Sequence, residues 1–473
     1  MKKGKVFLVG AGPGDIGLIT VKGLEAIKQA DVILYDRLAN PKLLEYAPEN
    51  SELVYGGKLP ERHFMRQENI NDFLVEKALA GKVVVRLKGG DPGVFGRVGE
   101  EAAALAQHQI PFEIVPGITS GIAAPLYAGI PVTHRAHAES FAVVTAHDKS
   151  QDGKPNLDWE SLARGVDTIA FYMGVGNLPF ICENLIRYGK PATTPVILIQ
   201  WGTFGRQKTL QGTLTDISEK VLEAKFSNPS IILVGGVISI REKISWFEKK
   251  PLYGRQILLA RTGTSPSELA KDLMEQGADV IEFPKWKKMT VPVELTKATA
   301  SEKILFASPE NVEEFFSAVF DQQMDIRTIR ASFFGASSKT IKALNRLGFT
   351  ANLADESRDY LVVGDASILN KGYKNVLVTS KKEIDQQFLP IFKRMIGEAA
   401  LNTLIFPSSA AVEPFVEALN DCGLEVEAFL KDLEVISMGR QTMAAVEAAG
   451  LQSDGMPEQA TKEALLKYLE VGQ

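Results

Sequence analysis

Cysteine is almost missing from these 473 residues: only Cys182 and Cys422 occur, far apart and in no C-x-x-C pair. That argues against a disulfide framework and a thiolate metal site, and it suits a reducing compartment. Histidine is scarce too, at five residues. His134-x-x-His137, with His147 beyond it, is a metal-like spacing, but no acid or thiolate stands where a ligand set would need one, so no metal is expected. There is no excess of positive charge, the formal net charge being −5, which argues against a nucleic-acid partner. No apolar run reaches membrane-spanning length, so no membrane partner is expected. Met1-Lys2-Lys3 ahead of Val6-Phe7-Leu8-Val9 imitates a signal peptide, yet the apolar run is too short, and Gly10 to Asp15 follows where a small-residue cleavage site belongs. A cytoplasmic protein is expected.

What the chain does have is glycine, 40 residues of it, much of it closing apolar runs. With 45% hydrophobic and 23% charged residues the composition is that of a globular protein, and the length suits about two to four domains. The organising stretch runs from Val83 to Glu101. Val83-Val84-Val85 opens a buried strand. Gly89-Gly90-Asp91-Pro92-Gly93-Val94-Phe95-Gly96-Arg97 then breaks it, and helical spacing resumes at Ala102 and Leu105. Glycines at a strand's carboxyl end let backbone come close to a ligand, and in open α/β sheets ligands lie in that crevice. Asp91 and Glu100 bring acceptors there, and Arg97 a planar cation.

In chain order, a strand at 5–9, an amphipathic helix at 18–29 and a strand at 31–35 ending in Asp36 read as a βαβ unit with parallel pairing. Gly12-x-Gly14-x-x-Gly17 with Asp36 beyond formally matches the dinucleotide fingerprint, so a nicotinamide-dependent oxidoreductase is an alternative. Against it, Pro13 removes a backbone donor and Asp15 sets a carboxylate where pyrophosphate would lie. Gly56-Gly57-Lys58 follows a third apolar patch, and Arg62, His63 and Arg66 make the next loop basic, which suggests an anionic ligand. A strand at 112–115 closes on Pro116 to Gly121. Strands at 140–145, 168–172, 196–200 and 231–234 make a second lobe. Gly174, Gly202 and Gly235 end the last three, and together they read as a second ligand edge.

Gly10-Ala11-Gly12-Pro13-Gly14-Asp15, Leu34-Tyr35-Asp36, Arg86 to Pro92, Val115 to Ser120 and Tyr172-Met173-Gly174 resemble the uroporphyrinogen-III C-methyltransferases of the tetrapyrrole methylase family, from Lys5 to about Phe247. Gly93 and Val98 depart from the family pattern, in ways that bear on the loop's shape. The resemblance implies two α/β lobes, about 1–118 and 119–240, with S-adenosyl-L-methionine as methyl donor, no metal and a homodimer. Carried over by position, the cofactor contacts are Pro13, Gly89, Gly90, Asp91, Val94, Thr119, Ser120, Met173 and Gly202. Asp36 and Lys58 match a proton acceptor and a proton donor. Arg97, Glu100 and Arg135 match residues around the tetrapyrrole, and Glu100 is a second carboxylate able to take the displaced proton. The implied substrate carries eight carboxylates, which suits bidentate Arg pairing. The implied product is precorrin-2, for sirohaem or cobalamin synthesis.

Residues 241–252 read as a linker, and 253–473 as a second α/β domain. It contains a repeat: Phe306-x-Ser308-x-x-x-Val312-Glu313-x-Phe315-x-x-Ala318 recurs 100 residues later as Phe406-x-Ser408-x-x-x-Val412-Glu413-x-Phe415-x-x-Ala418. Two units point to a bilobal domain and not a solenoid. This half resembles uroporphyrinogen-III synthase, which closes hydroxymethylbilane; Ser308 and Ser408 then stand at turns suited to carboxylates. It lacks the family's Tyr-x-Thr pair, the nearest stretch being Phe392-Lys393-Arg394, and 376–392 reads as too short for strand–helix–strand. A degenerate, non-catalytic scaffold is the competing expectation.

Overall fold

Each β-branched run that ends in glycine is a strand, and the chain assembles them into four sheets. The structure is a computed structural model that describes residues 3–57, 67–147, 153–264, 266–355 and 359–471. The first sheet contains β1 (Lys5–Gly10), β2 (Val32–Tyr35), β3 (Glu52–Tyr55), β4 (Val83–Lys88) and β5 (Phe112–Val115), in the order β3-β2-β4-β1-β5. All its pairings are parallel, so the glycine-rich ends share one edge. The helix expected over 18–29 is broken. A 3-10 turn at Ile16–Leu18 comes first, and α1 (Val21–Lys28) starts afresh where Thr20 Oγ1 accepts from Gly23 N at 3.1 Å. Helices α2 (Gln67–Leu79), α3 (Val98–Gln107) and α4 (Ser120–Tyr127) follow.

The second lobe is built on β6 (Phe141–Thr145), β7 (Thr168–Tyr172), β8 (Pro195–Gln200), β9 (Lys208–Thr213) and β10 (Ser230–Val234), in the order β6-β7-β10-β8-β9. Here β6 and β7 are parallel, and every pairing of β10 and β9 is antiparallel. This corrects one expectation. Met173-Gly174 and Trp201-Gly202 share an edge, whereas β10 runs the other way, so Gly235 lies at the opposite end, with its N–H bonded to Pro195 O. The stretch 241–252 is packed: the Tyr127 ring meets Trp246 at 5.0 Å and Phe247 at 4.9 Å, and Arg241 pairs with Glu248.

The C-terminal domain has two sheets. One is β12-β11-β19-β20, from β11 (Gln256–Ala260), β12 (Asp279–Phe283), β19 (Thr403–Phe406) and β20 (Glu434–Ser437). The other is β13-β18-β17-β14-β15-β16, from β13 (Trp286–Thr290), β14 (Lys303–Phe306), β15 (Ser332–Gly335), β16 (Ala351–Leu353), β17 (Leu361–Asp365) and β18 (Asn375–Ile384). The repeat is structural: β14 pairs with β15 as β19 pairs with β20, parallel in both, and a helix follows each strand. Strand β18 is ten residues long and paired on both sides. Phe392 and Arg394 then lie on the helix Leu389–Glu398, not on a strand. One apolar cluster crosses the domain boundary, joining Tyr35, Leu43 and Leu44 to Phe283, Phe388 and Phe392.

Candidate functional site

At the edge of the first sheet, glycines bring backbone onto backbone. A Cβ on Gly10 would stand 2.6 Å from Gly117 N, and one on Gly117 would stand 2.3 Å from Gly90 O. Asp91 fastens this crossing, its Oδ1 accepting from Gly93 N at 2.7 Å and its Oδ2 from Gly117 N at 2.9 Å. Gly93, one of the two departures from the family pattern, thus supplies a donor that closes the loop. Gly89 is required by Leu38, whose Cβ would be 2.6 Å from an added methyl, and Gly202 by Ala124, at 2.3 Å. Gly90 is different. It has φ +69, and the nearest atom to an added Cβ is Ser120 N at 4.0 Å, so this face is open to a ligand. Val94 N closes the turn onto Asp91 O at 3.2 Å.

The opposite wall comes from the second lobe. Tyr172 Oη hydrogen-bonds Thr119 Oγ1 at 2.6 Å and accepts from Gly121 N at 2.5 Å, holding the start of α4 at Ser120. The Phe95 ring stands edge-on to Tyr172 at 5.2 Å. Phe95, Arg97, Met173, Trp201 and Thr203 all have positive φ, a conformation that costs a non-glycine residue about 1–2 kcal/mol. Such strain concentrated around one crevice marks a site. Met173 is 47% exposed there, and its thioether is soft and polarisable.

The turn carrying Pro13 is tied to the second lobe. Asp15 N donates to Thr203 Oγ1 at 3.0 Å, and Tyr127 Oη donates to Asp15 Oδ2 at 2.7 Å. Burial first, and then Asp15, pushes the Tyr127 phenol well above its ordinary range. Asn40 Nδ2 donates to Gly14 O at 2.8 Å. With Asp15 engaged in this way, the turn is not a pyrophosphate cradle.

Beneath the crevice lies a charge network that the sequence reading missed. Glu101 is fully buried and its Oε1 accepts from Arg86 Nε at 3.2 Å and Lys88 Nζ at 2.7 Å. Arg86 Nη2 in turn donates to Asp36 Oδ1 at 2.6 Å. Burial pushes the Lys88 ammonium pKa down, Arg86 adds to this, and Glu101 opposes it. The signal was in the chain: two cations two apart in a buried strand share a face and require an acid.

Arg97 and Glu100 pair with each other within the first turn of α3, at 2.8 Å and 2.5 Å, and both are exposed. Val98, the second departure, begins that helix and packs on the core beneath. Arg135 is exposed in the loop closed by the His134–Ala138 bridge, where the His134 and His137 rings stand 5.1 Å apart. Among the described residues no three His, Cys, Asp or Glu side chains gather as a metal site. Lys58, with Arg62, His63 and Arg66, lies outside the described residues. In the C-terminal domain Ser308 caps the helix Pro309–Asp321, its Oγ accepting from Asn311 N at 3.3 Å. Ser408 is half-buried and makes no such cap bond.

The family of tetrapyrrole (corrin/porphyrin) methylases matches residues 5–218, and that of uroporphyrinogen-III synthase HemD matches residues 373–467. The chain belongs to the tetrapyrrole methylase family, with a uroporphyrinogen-III synthase-type domain joined behind it. It is 49% identical over 454 residues to a uroporphyrinogen-III C-methyltransferase of Bacillus subtilis (strain 168), covering 94% of each chain. It is 34% identical over 508 residues to the porphyrin biosynthesis protein HemD of Ruminiclostridium josui, covering 100% of this chain and 99% of the relative. A solved uroporphyrin-III C-methyl transferase from Thermus thermophilus, complexed with S-adenyl homocysteine, is 38% identical over 50% of this chain and 100% of its own, with a TM-score of 0.43. Among the described residues no helix is long and apolar enough to cross a membrane.

Proposed function

We propose that the N-terminal domain methylates uroporphyrinogen III at carbon to give precorrin-2, and that the C-terminal domain makes that substrate by closing hydroxymethylbilane. The observation that carries the methylation is the 49% identity, over 94% of each chain, to a uroporphyrinogen-III C-methyltransferase, and the match of residues 373–467 to the uroporphyrinogen-III synthase family supports the ring closure. S-adenosyl-L-methionine supplies the methyl group as an electrophilic sulfonium. The open face of Gly90, the start of α4 at Thr119 and Ser120, the turn at Pro13 and the exposed Met173 form the wall suited to it; Asp91, Val94, Gly89 and Gly202 shape that wall. Alignment of donor and acceptor carbon contributes most of the rate.

Asp36 is the proton acceptor. With Oδ1 held by Arg86, Oδ2 is the atom that takes the proton displaced from the ring system. Lys58 is the donor in this reading, and Glu100 stands in the first turn of α3 beside Arg97. Arg97 and Arg135 are exposed cations suited to substrate carboxylates, Arg97 exchanging Glu100 for the ligand. Nothing in these steps requires a metal.

The active form is a homodimer. Phe112 and Ile114 on edge strand β5, Ile122 and Leu126 on α4, and Trp246, which donates to Leu126 O at 3.0 Å, are exposed apolar side chains. A second copy would cover them.

The test is to give purified full-length chain hydroxymethylbilane, with and without S-adenosyl-L-methionine, and follow the absorption spectrum and the uroporphyrin isomers. Isomer III without the methyl donor, and a methylated chromophore with it, is the expected result. Isomer I alone would show the C-terminal domain to be a scaffold. No methylation of added uroporphyrinogen III would overturn the main reading.

A further inference from the structure

The two domains meet at a cleft lined by Asn40 and Lys42 after β2, Arg206 after β8, Asp279 at the start of β12, and Arg394 and Glu398 on the helix Leu389–Glu398. Its cations differ in how well they are paired. Lys42 is 8% exposed; its Nζ donates to Met274 Sδ at 3.4 Å, a weak acceptor, and the charges of Asp279 and Glu282 lie near enough to interact with it. Arg394 lays its guanidinium over the rings of Tyr55, at 4.3 Å, and Tyr35, at 5.1 Å. Its Nη1 and Nη2 are buried and have no hydrogen-bond partner among the described residues. Arg206 donates to Glu398 O at 2.7 Å and stands 3.6 Å from Asp279, while the Glu398 carboxylate is turned toward Arg37 at 4.0 Å. Burying the Arg394 guanidinium without acceptors is costly, and stacking on tyrosine offsets little of that cost. An anion in the cleft removes the deficit, and a carboxylate matches the two-pronged guanidinium edge.

We propose that this cleft is a carboxylate-binding site, completed by Arg394 from the C-terminal domain, which takes one acidic arm of a tetrapyrrole. The tetrapyrrole assignment rests on the function proposed above; the carboxylate assignment does not. The site also has a structural reach. Tyr35 and Tyr55 pair across β2 and β3, with ring centroids 5.5 Å apart, and directly precede Asp36 and Gly56. A ligand held by Arg394 therefore bears on the strand ends that present Asp36 and the loop leading to Lys58.

The test uses the full chain and two probes. Succinate at millimolar concentration, against sodium chloride at equal ionic strength, raises the melting temperature of the wild type by about a few degrees through preferential binding to the folded state. Arg394→Met and Lys42→Met lose that rise; removing the buried, unpaired Arg394 charge leaves the fold intact. Uroporphyrin III, titrated by fluorescence quenching, then binds Arg394→Met about tenfold more weakly than wild type, as expected for one charge-assisted pair, and Arg394→Lys restores only part of the affinity. No succinate effect beyond chloride in the wild type, or an equal effect in both variants, overturns the site. A succinate effect with unchanged uroporphyrin affinity overturns the tetrapyrrole arm and assigns the cleft to a small free acid. Absence of methyl transfer by the wild type would refute the proposed function and leave the succinate result standing.

Discussion

Arg86 grips Asp36 at 2.6 Å while its Nε rests on Glu101, so the carboxylate at the crevice is steered from a fully buried acid on the next helix. Lys88 shares Glu101. Asp36 thus gains an orientation, and the network places two cations in a low-dielectric interior with one acid between them.

Glu101→Ala should therefore destabilise the protein by about 3–5 kcal/mol, because it leaves Arg86 and Lys88 buried without their acceptor. Denaturant unfolding measures this. A loss below about 1 kcal/mol would show that water or a rearrangement takes over the role.

Lys88 gives a pH signature. Its pKa is lowered in the folded state, chiefly by burial, so below that value both states are charged and the folded state carries the full penalty. As pH rises from there toward the ordinary lysine value, the folded state releases its proton first and the penalty fades, so stability gains. Comparing urea midpoints at about pH 8 and pH 10, Lys88→Met should show a smaller gain, or a steeper loss, than wild type. Identical shifts in the two proteins would contradict the burial argument.

Tyr172→Phe removes the hydroxyl that ties Thr119 Oγ1 and Gly121 N to the end of β7. The loosened start of α4 should weaken S-adenosyl-homocysteine binding about tenfold, on the order of 1–1.5 kcal/mol. Calorimetric titration reads this directly, and unchanged affinity would remove α4 from the cofactor wall.

Arg97→Lys preserves charge and loses the planar fork now laid on Glu100. Steady-state kinetics should show KM for uroporphyrinogen III rising by about tenfold with kcat little changed. Unaltered kinetics would mean that Arg97 and Glu100 pair only with each other.

Leu126→Asp puts a charge at an exposed apolar position beside Trp246. Sedimentation velocity should show dimeric wild type and monomeric variant. A variant as dimeric as wild type would place the interface elsewhere.

Four strands of the first sheet were legible from their apolar runs, while β3 was read only as an apolar patch and owes its place to its pairing with β2. Strand β9 was not, since Lys208-Thr209-Leu210-Gln211-Gly212-Thr213 is a polar edge strand whose antiparallel partner decides its fate. Strand direction was equally hidden: Gly235 ends an apolar run as Gly202 does, and only the pairing of β10 sends it to the far edge. At the site, the glycines were found, and the structure adds that a Cβ on Gly10, Gly89, Gly117 or Gly202 would collide with neighbouring protein atoms. The Arg86–Glu101 link joins residues of adjacent elements, and its energetics depend on a burial that periodicity does not report.

The shared core between the domains also sets an order of events during synthesis. Tyr35, Leu43 and Leu44 share their apolar cluster with Phe283, Phe388 and Phe392, which lie hundreds of residues downstream. As the chain leaves the ribosome, the first domain therefore emerges with one flank wet and apolar, a surface on which chaperones act. That flank is sealed only when the helix bearing Phe392 and Arg394 has been made, so the first domain to be synthesised is among the last to be finished.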